Sequence, residues 1–148
     1  MQRTILKNVH RIAGVVALLM IMTFFSSSVI ADLFGSYETI TLVKQAILQW
    51  VALLVLSMMA VGISGKKLYP VTPKGIFAVK STRMKIAAFN GVVILLPAAY
   101  FLAAWSAEGL FDTRYWSLQI IELIAGATNA AMIGLNIRDG IRLGKKNA

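Results

Sequence analysis

Four long apolar stretches dominate the pattern of hydrophobic and polar positions along the chain. They cover residues 12–31, 45–65, 86–107 and 116–137, and Glu122 is the only formally charged residue inside them. A helix rises about 1.5 Å per residue, so each stretch is long enough to cross a hydrocarbon core of roughly 30 Å. A lipid-exposed backbone has no water to bond, which favours helices over open strands. The pattern predicts an all-α protein, a four-helix transmembrane bundle.

Basic residues are distributed unevenly around these stretches. Thirteen of the 15 Lys and Arg residues lie in 1–11, 66–85 and 138–148, which leaves only Lys44 and Arg114 elsewhere. Basic connections favour the cytoplasmic side of a membrane. We therefore predict an up-and-down bundle with both termini inside, built as a single integral membrane domain over all 148 residues. The cytoplasmic loop 66–85 carries six basic and no acidic residues, so we expect it to contact anionic lipid headgroups.

The two connections on the outer side are predicted to be short and acidic, with aromatic residues beside them. We expect the loop acids to be solvated and the aromatic rings to form a girdle at the membrane interface. The acids are Asp32, Glu38, Glu108 and Asp112, and the aromatic residues are Trp50, Trp105, Trp116, Tyr37, Phe111 and Tyr115.

Composition narrows the function classes further. The net charge is +9 and 58% of the residues are hydrophobic. Because the basic residues flank apolar spans, we expect a membrane rather than nucleic acid as their partner. The chain has no cysteine, which excludes a disulfide framework, an Fe–S cluster and a thiol nucleophile. Residues 12–31 resemble a signal sequence in part, but their length favours a retained first span.

The fourth stretch has the most regular polar pattern. Glu122, Asn129 and Asn136 recur every seven residues and form one stripe on a helix. A carboxylate within a span is costly, so Glu122 should face protein or water. We predict an intramembrane polar cluster of Lys44, Gln45, Gln49, Gln119, Glu122 and Asn129. It serves either as a packing lock, with a Lys44–Glu122 pair that fixes helix register, or as the lining of a ligand, ion or proton path.

Small residues on the same helix predict close packing. Gly126, Ala130 and Gly134 are spaced four residues apart, a pattern that lets a second helix approach closely. The neighbour is either another helix of the bundle or a second copy of the chain.

His10 is the single histidine and lies just before the first stretch. An imidazole there offers a ligand for haem b, and the amides Asn90 and Asn136 offer hydrogen bonds to a haem propionate or a quinone carbonyl. One histidine cannot supply both axial ligands, so haem would require a methionine or a second copy of the chain. The alternative is a solvated histidine at the membrane interface. The sequence contains no nucleophile elbow, phosphate loop or histidine cluster, so we predict no catalytic residues and no metal site.

Three short segments carry a resemblance. His10-Arg11-Ile12-Ala13-Gly14, Ala88-Phe89-Asn90-Gly91 and Gly134-Leu135-Asn136-Ile137-Arg138-Asp139-Gly140 resemble segments of small four-span bacterial membrane proteins of uncharacterised activity. The resemblance implies four helices and a bacterial inner membrane. It implies no activity, cofactor or partner.

Taken together, these patterns predict a non-catalytic inner-membrane protein. The first interpretation is an accessory or assembly subunit, a helix-packing partner within a larger membrane complex or a homo-oligomer. The second is a small b-type cytochrome or quinone-site protein that uses His10. The third is an oligomeric transporter or channel that uses Glu122.

Overall fold

A computed structural model describes residues 2–68 and 74–146. This part of the chain is helical and contains no strand, which confirms the all-α prediction. Four helical units are long and apolar enough to cross a membrane. The helices are α1 (Gln2–Phe34), α2 (Tyr37–Leu68), α3 (Ile76–Asn90), α4 (Leu96–Ala107) and α5 (Thr113–Lys146), and a π-helical turn (Gly91–Leu95) joins α3 to α4.

Three of the four helical units extend beyond their apolar stretches at both ends, and the third, Ile76–Ala107, extends only at its start. In particular, the region 66–85, which we expected to be a loop, is helical up to Leu68 and again from Ile76. Its residues 69–73 lie outside the described part of the chain. Hydropathy identifies only the part of a helix that is apolar enough for the hydrocarbon core of a membrane. The backbone hydrogen bonds of the helix can continue beyond that part, into the interfacial region. Lys66 and Lys67 in the last turn of α2 also complement the negative end of the helix dipole.

The proline in the third span accounts for the π-helical turn. Pro97 lacks an N–H, and in a regular helix its ring would clash with the preceding turn. The structure widens the helix immediately before it, where the Leu96 N–H bonds to the Gly91 carbonyl five residues earlier. The distortion that Pro97 predicts is therefore present, in the form of a π-helical turn.

Two tight turns lie at the same end of the bundle, which we call the hairpin end. In the first, a Cβ at Gly35 would lie 2.6 Å from the Ala31 carbonyl oxygen, so only glycine fits. In the second, Gly109 has a positive φ of 71°. The opposite end, which contains both termini, is the terminal end.

The second turn ends in an N-cap for α5. The Asp112 Oδ1 atom accepts hydrogen bonds from the backbone N–H groups of Arg114 and Tyr115 at 3.0 and 3.2 Å. The Arg114 Nε donates to Oδ2 at 3.0 Å. The Tyr115 amide, followed by the Arg114 side chain, lowers the pKa of the exposed Asp112 carboxyl. The first turn of α5 therefore depends on an ionised aspartate.

We predict that acid loosens the start of α5. Because the pKa of Asp112 is lower in the folded protein, its contribution is complete above the unfolded value of roughly 3.9 and is lost as pH falls through the folded value. Asp112→Ala should speed hydrogen exchange at the Arg114 and Tyr115 amides at neutral pH. The difference from the wild type should disappear once the pH falls below the lowered folded pKa of Asp112. A difference that persists unchanged in acid would contradict this role of the cap.

The four spans pack as a ring in which each contacts two neighbours. α1 packs on α2 and α5, and the third span packs on α2 through α4 and on α5 through α3, the π-helical turn and α4. Two apolar clusters fill the interior. One, at the hairpin end, contains Ala31, Ile40, Ala98, Leu102 and Tyr115; the other, nearer the terminal end, contains Ile21, Ala87 and Ile133. Many large apolar side chains are exposed instead, including Leu19, Leu56, Val92, Ile120 and Ile124. This distribution suits a bundle in lipid, where small residues let helices approach closely.

Candidate functional site

A buried ion pair joins α2 to α5 toward the hairpin end. The Lys44 Nζ donates to the Glu122 Oε2 at 2.5 Å and to the Ser28 Oγ of α1 at 3.0 Å. The Lys44 side chain is 1% exposed and the Glu122 side chain 11%. One ammonium group therefore holds three helices together, and the structure contains the Lys44–Glu122 pair that the sequence suggested.

Three further polar side chains surround this pair. Asp32 lies one turn after Ser28 on α1, and its carboxylate interacts electrostatically with Lys44 and Glu122. Tyr115 and Gln119 lie on the same face of α5 as Glu122, and Tyr115 interacts electrostatically with Asp32 and Glu122. We call Ser28, Asp32, Lys44, Tyr115, Gln119 and Glu122 the hairpin-end polar cluster.

Several buried atoms of this cluster lack hydrogen bonds to the described residues. They are both carboxylate oxygens of Asp32, the Tyr115 hydroxyl, and the amide oxygen and nitrogen of Gln119. Tyr115 is 0% exposed and Gln119 is 1% exposed. A buried polar group without a partner is costly, so these atoms point to water or to another small polar species between them.

Sequence reasoning missed Asp32 and Tyr115. Asp32 was expected to be a solvated loop acid, but α1 continues past it to Phe34. Tyr115 was expected in an interfacial girdle, but it is the largest fully buried side chain. A usable signal was present, because Ser28 and Asp32, like Tyr115 and Gln119, are four residues apart and share a helix face.

Three residues of the predicted polar cluster lie elsewhere. The Gln45 Nε2 donates to the Ala103 carbonyl of α4 at 2.9 Å, and Gln49 is exposed. Asn129 pairs with Asn90 instead. Rotation about the axis of α2 carries Gln45 and Gln49 away from Lys44. Asn129 shares a face of α5 with Glu122 but lies seven residues, about 10 Å, farther along the helix.

The two asparagines form an amide lock between α3 and α5. The Asn90 Nδ2 donates to the Asn129 Oδ1 at 2.9 Å and to the Ala125 carbonyl at 2.8 Å. In return, the Asn129 Nδ2 donates to the Ala87 carbonyl at 3.2 Å. Both side chains are buried, so each satisfies the other away from water.

We predict that Asn129→Leu lowers the free energy of unfolding by about 1–2 kcal/mol, since membrane hydrogen bonds of this kind contribute modestly. Thr128→Val is the matched control, because the Thr128 hydroxyl bonds only to the Ile124 carbonyl of its own helix. Unfolding by SDS in mixed micelles measures both. If the two variants lose equal stability, the hydrogen bonds between Asn90 and Asn129 make no contribution of their own to the free energy of unfolding.

The three residues proposed for haem or quinone are held against different helices. The His10 Nδ1 lies 3.0 Å from the Ser64 Oγ and 3.2 Å from the Val61 carbonyl oxygen of α2. Asn90 bonds to α5, as described above. The Asn136 Nδ2 donates to the Lys80 carbonyl of α3 at 3.1 Å. Their hydrogen bonds therefore give each of the three a packing role.

A second ionic contact closes the bundle near the terminal end. The Arg83 Nη1 of α3 donates to the Asp139 Oδ2 of α5 at 2.7 Å, and the Arg138 Nη2 contacts the other carboxylate oxygen at 3.0 Å. Asp139 is buried. The basic residues around Asp139 in the sequence were the available signal for this contact.

The small residues of α5 face the interior for most of their length. A Cβ at Gly126 would lie 3.6 Å from the Phe25 ring of α1, and Ala130 packs against the apolar cluster nearer the terminal end. At Gly134 a Cβ would meet open space. The first two positions therefore serve packing within the bundle.

A small cavity lies beside the ion pair. Its volume is about 60 Å³, and its lining is mainly apolar apart from Ser28 and Glu122. Pockets for cofactors or drug-sized ligands measure roughly 300–1,000 Å³, whereas one water occupies about 30 Å³ of liquid. The cavity therefore accommodates about two waters. The described residues contain no group of three or more His, Asp or Glu side chains arranged to hold a metal ion.

Comparison with other proteins gives no match. The chain matches no protein-family model, no curated protein and no solved structure. The resemblance to four-span bacterial proteins accordingly stays a prediction.

Proposed function

We propose that this protein is a non-catalytic accessory or assembly subunit of a bacterial inner-membrane complex. The structure has four helices that are long and apolar enough to span a membrane, as a small multi-pass protein requires. The partner in this proposal is another integral membrane protein or a second copy of the chain.

The observation that carries the proposal is the direction in which polar and apolar side chains face. Lys44–Glu122, Asn90–Asn129 and Arg83–Asp139 each join two helices inside the bundle. Large apolar side chains cover the outside. Internal polar contacts fix the helices, and the outer surface offers van der Waals packing to a neighbouring helix. Such a protein is built to be held beside other helices in lipid.

Photo-crosslinking in membranes tests the partner. A photoreactive residue replaces Leu56 of α2, Val92 in the third span or Ile120 of α5, one at a time; all three are exposed. A subunit should give discrete protein adducts from at least one face. Leu102, which is fully buried, is the control position and should give none. Lipid adducts alone from every outward position, together with a monomer mass in mild detergent, would refute the proposal.

The proposed orientation places both termini in the cytosol. The excess of basic residues in 1–11, 66–85 and 138–148 supports this topology. Lys66 and Lys67, which are exposed at the end of α2, are then available to anionic lipid headgroups. Reporter fusions at each terminus test the topology, because an enzyme active only in the cytosol should work at both ends.

The cytochrome and quinone interpretations receive less support. His10, Asn90 and Asn136 each bond to a neighbouring helix, so all three already have a role in packing the bundle. A reduced-minus-oxidised spectrum after haem supplementation tests a haem site between copies.

Ion or proton movement through Glu122 remains a second candidate, and one observation favours it. The unpartnered polar atoms of Asp32, Tyr115 and Gln119 lie beside a buried ion pair, an arrangement suited to water within a bundle. Flux in liposomes that falls in Glu122→Gln would support this candidate. Flux that ignores the substitution would remove it.

A further inference from the structure

The charges of the hairpin-end polar cluster do not balance. Asp32 and Glu122 bring two carboxyl groups, whereas Lys44 brings one ammonium group. The remaining titratable member is Tyr115. The third span adds no charge to the cluster from its helix α4. The one ionisable side chain of α4 is Tyr100, and it is exposed. One negative charge would therefore be left uncompensated if both carboxyl groups were ionised.

The hydrogen bonds show which carboxyl group is left over. Glu122 accepts from the Lys44 ammonium, and that ammonium also donates to Ser28. Both oxygens of Asp32 are buried without a hydrogen bond to the described residues. The one nearby ammonium, Lys44, is already bonded to Glu122. Burial without a hydrogen-bond donor or a cation of its own favours the neutral acid, so the excess carboxyl group is Asp32.

Water completes the arrangement. A protonated carboxyl group needs an acceptor for its O–H, and the Tyr115 hydroxyl and both amide atoms of Gln119 also lack partners. The cavity of about 60 Å³ adjoins the cluster at Ser28 and Glu122, and Asp32, Tyr115 and Gln119 do not line it. Water bonded between Asp32, Tyr115 and Gln119 would satisfy their buried atoms.

We propose that the hairpin-end polar cluster is a hydrated proton-binding site, in which Asp32 holds one exchangeable proton while Lys44 and Glu122 remain ion-paired. The reaction is the reversible transfer of that proton from the Asp32 carboxyl group to water, which leaves the carboxylate. No other reactant is involved. The site is independent of the accessory role, because proton binding does not require a protein partner.

Infrared difference spectroscopy of the full-length protein tests the site. The protein is titrated in a maltoside detergent, which has no carbonyl group of its own. We expect the carbonyl band of a protonated carboxylic acid near neutral pH, its loss on raising the pH, and a shift of the band in heavy water. Asp32→Asn should abolish the band. Glu108→Gln, which removes an exposed acid of the second turn, should retain it.

A second variant tests the coupling within the cluster. Glu122→Gln leaves Lys44 without its carboxylate, so Asp32 should take its place and release its proton about one to three pH units lower. Circular dichroism and gel filtration establish that each variant is folded. If Asp32→Asn does not fold, Asp32→Glu replaces it and should shift the band without removing it.

The opposing outcomes are equally clear. A wild-type spectrum without an acid band near neutral pH would overturn the proposal, and so would a band that survives Asp32→Asn unchanged. A band lost only in Glu122→Gln would place the proton on the other carboxyl group and would also reject the assignment. None of these results depends on whether a partner protein is captured.

Discussion

Lys44→Met should destabilise the bundle by about 3–5 kcal/mol, because removing one member of a buried ion pair leaves an uncompensated charge. Here it leaves two carboxyl groups, Glu122 and Asp32, and no cation between them. Glu122→Gln should cost less, about 1–3 kcal/mol. After that change Lys44 retains its bond to Ser28 and has Asp32 as a replacement acceptor. The cost should therefore be asymmetric across the pair.

Unfolding by SDS in mixed micelles measures this asymmetry. The double variant Lys44→Met/Glu122→Leu should recover much of the lost stability, since a buried ion pair can be replaced by apolar residues at little cost. Arg114→Met is the control for loss of a basic side chain at the hairpin end, because its pair with Asp112 is exposed and should contribute little. Equal losses in Lys44→Met and Glu122→Gln would show that Asp32 cannot replace Glu122.

The spans and the main ion pair were predictable because they depend on position along the chain. Hydropathy over about 20 residues is sufficient to identify a spanning helix, and a short connection places Lys44 and Glu122 at similar depth. The distortion at Pro97 was predictable for a local reason, since the missing N–H acts on its own helix. These features require no knowledge of how the helices are rotated.

The rest of the site depends on that rotation. Asp32 and Tyr115 were assigned to the outer surface from their places near helix ends, yet both side chains reach into the interior. Gln49 was placed in the interior from its depth, yet it is exposed. In a membrane helix, apolar residues occupy both the packed side and the lipid-facing side. The sequence pattern therefore gives little information on how each helix is rotated about its axis.

The two hairpins explain why the hairpin end holds the best-defined polar cluster. Short turns at Gly35 and Gly109 fix α1 against α2 and α4 against α5 at this end. Groups brought by separate helices can then meet with little loss of chain entropy. The terminal end has no such turn within the described residues, and there a polar contact, Arg83–Asp139, joins α3 to α5.

Tyr115→Ala should lower the free energy of unfolding by about 3–5 kcal/mol, the range for removing a buried aromatic ring. Tyr115 belongs to α5 and packs in a cluster with Ala31 of α1, Ile40 of α2 and Leu102 of α4. Its ring also meets the Phe111 and Trp116 rings with centroids 4.9 and 5.2 Å apart. Its loss would leave a cavity where all four spans meet.

Tyr100→Ala is the matched control, because the same atoms are removed from a tyrosine that is 59% exposed. We expect a loss within about 0.5 kcal/mol, as for most exposed positions. Tyr115→Phe separates the ring from the hydroxyl and should cost about 1 kcal/mol if water bonds to that hydroxyl. SDS unfolding measures the three variants side by side. If Tyr115→Ala proved no worse than Tyr100→Ala, the ring could not be the packing centre of the hairpin end, and the buried polar groups alone would have to hold the four spans together there.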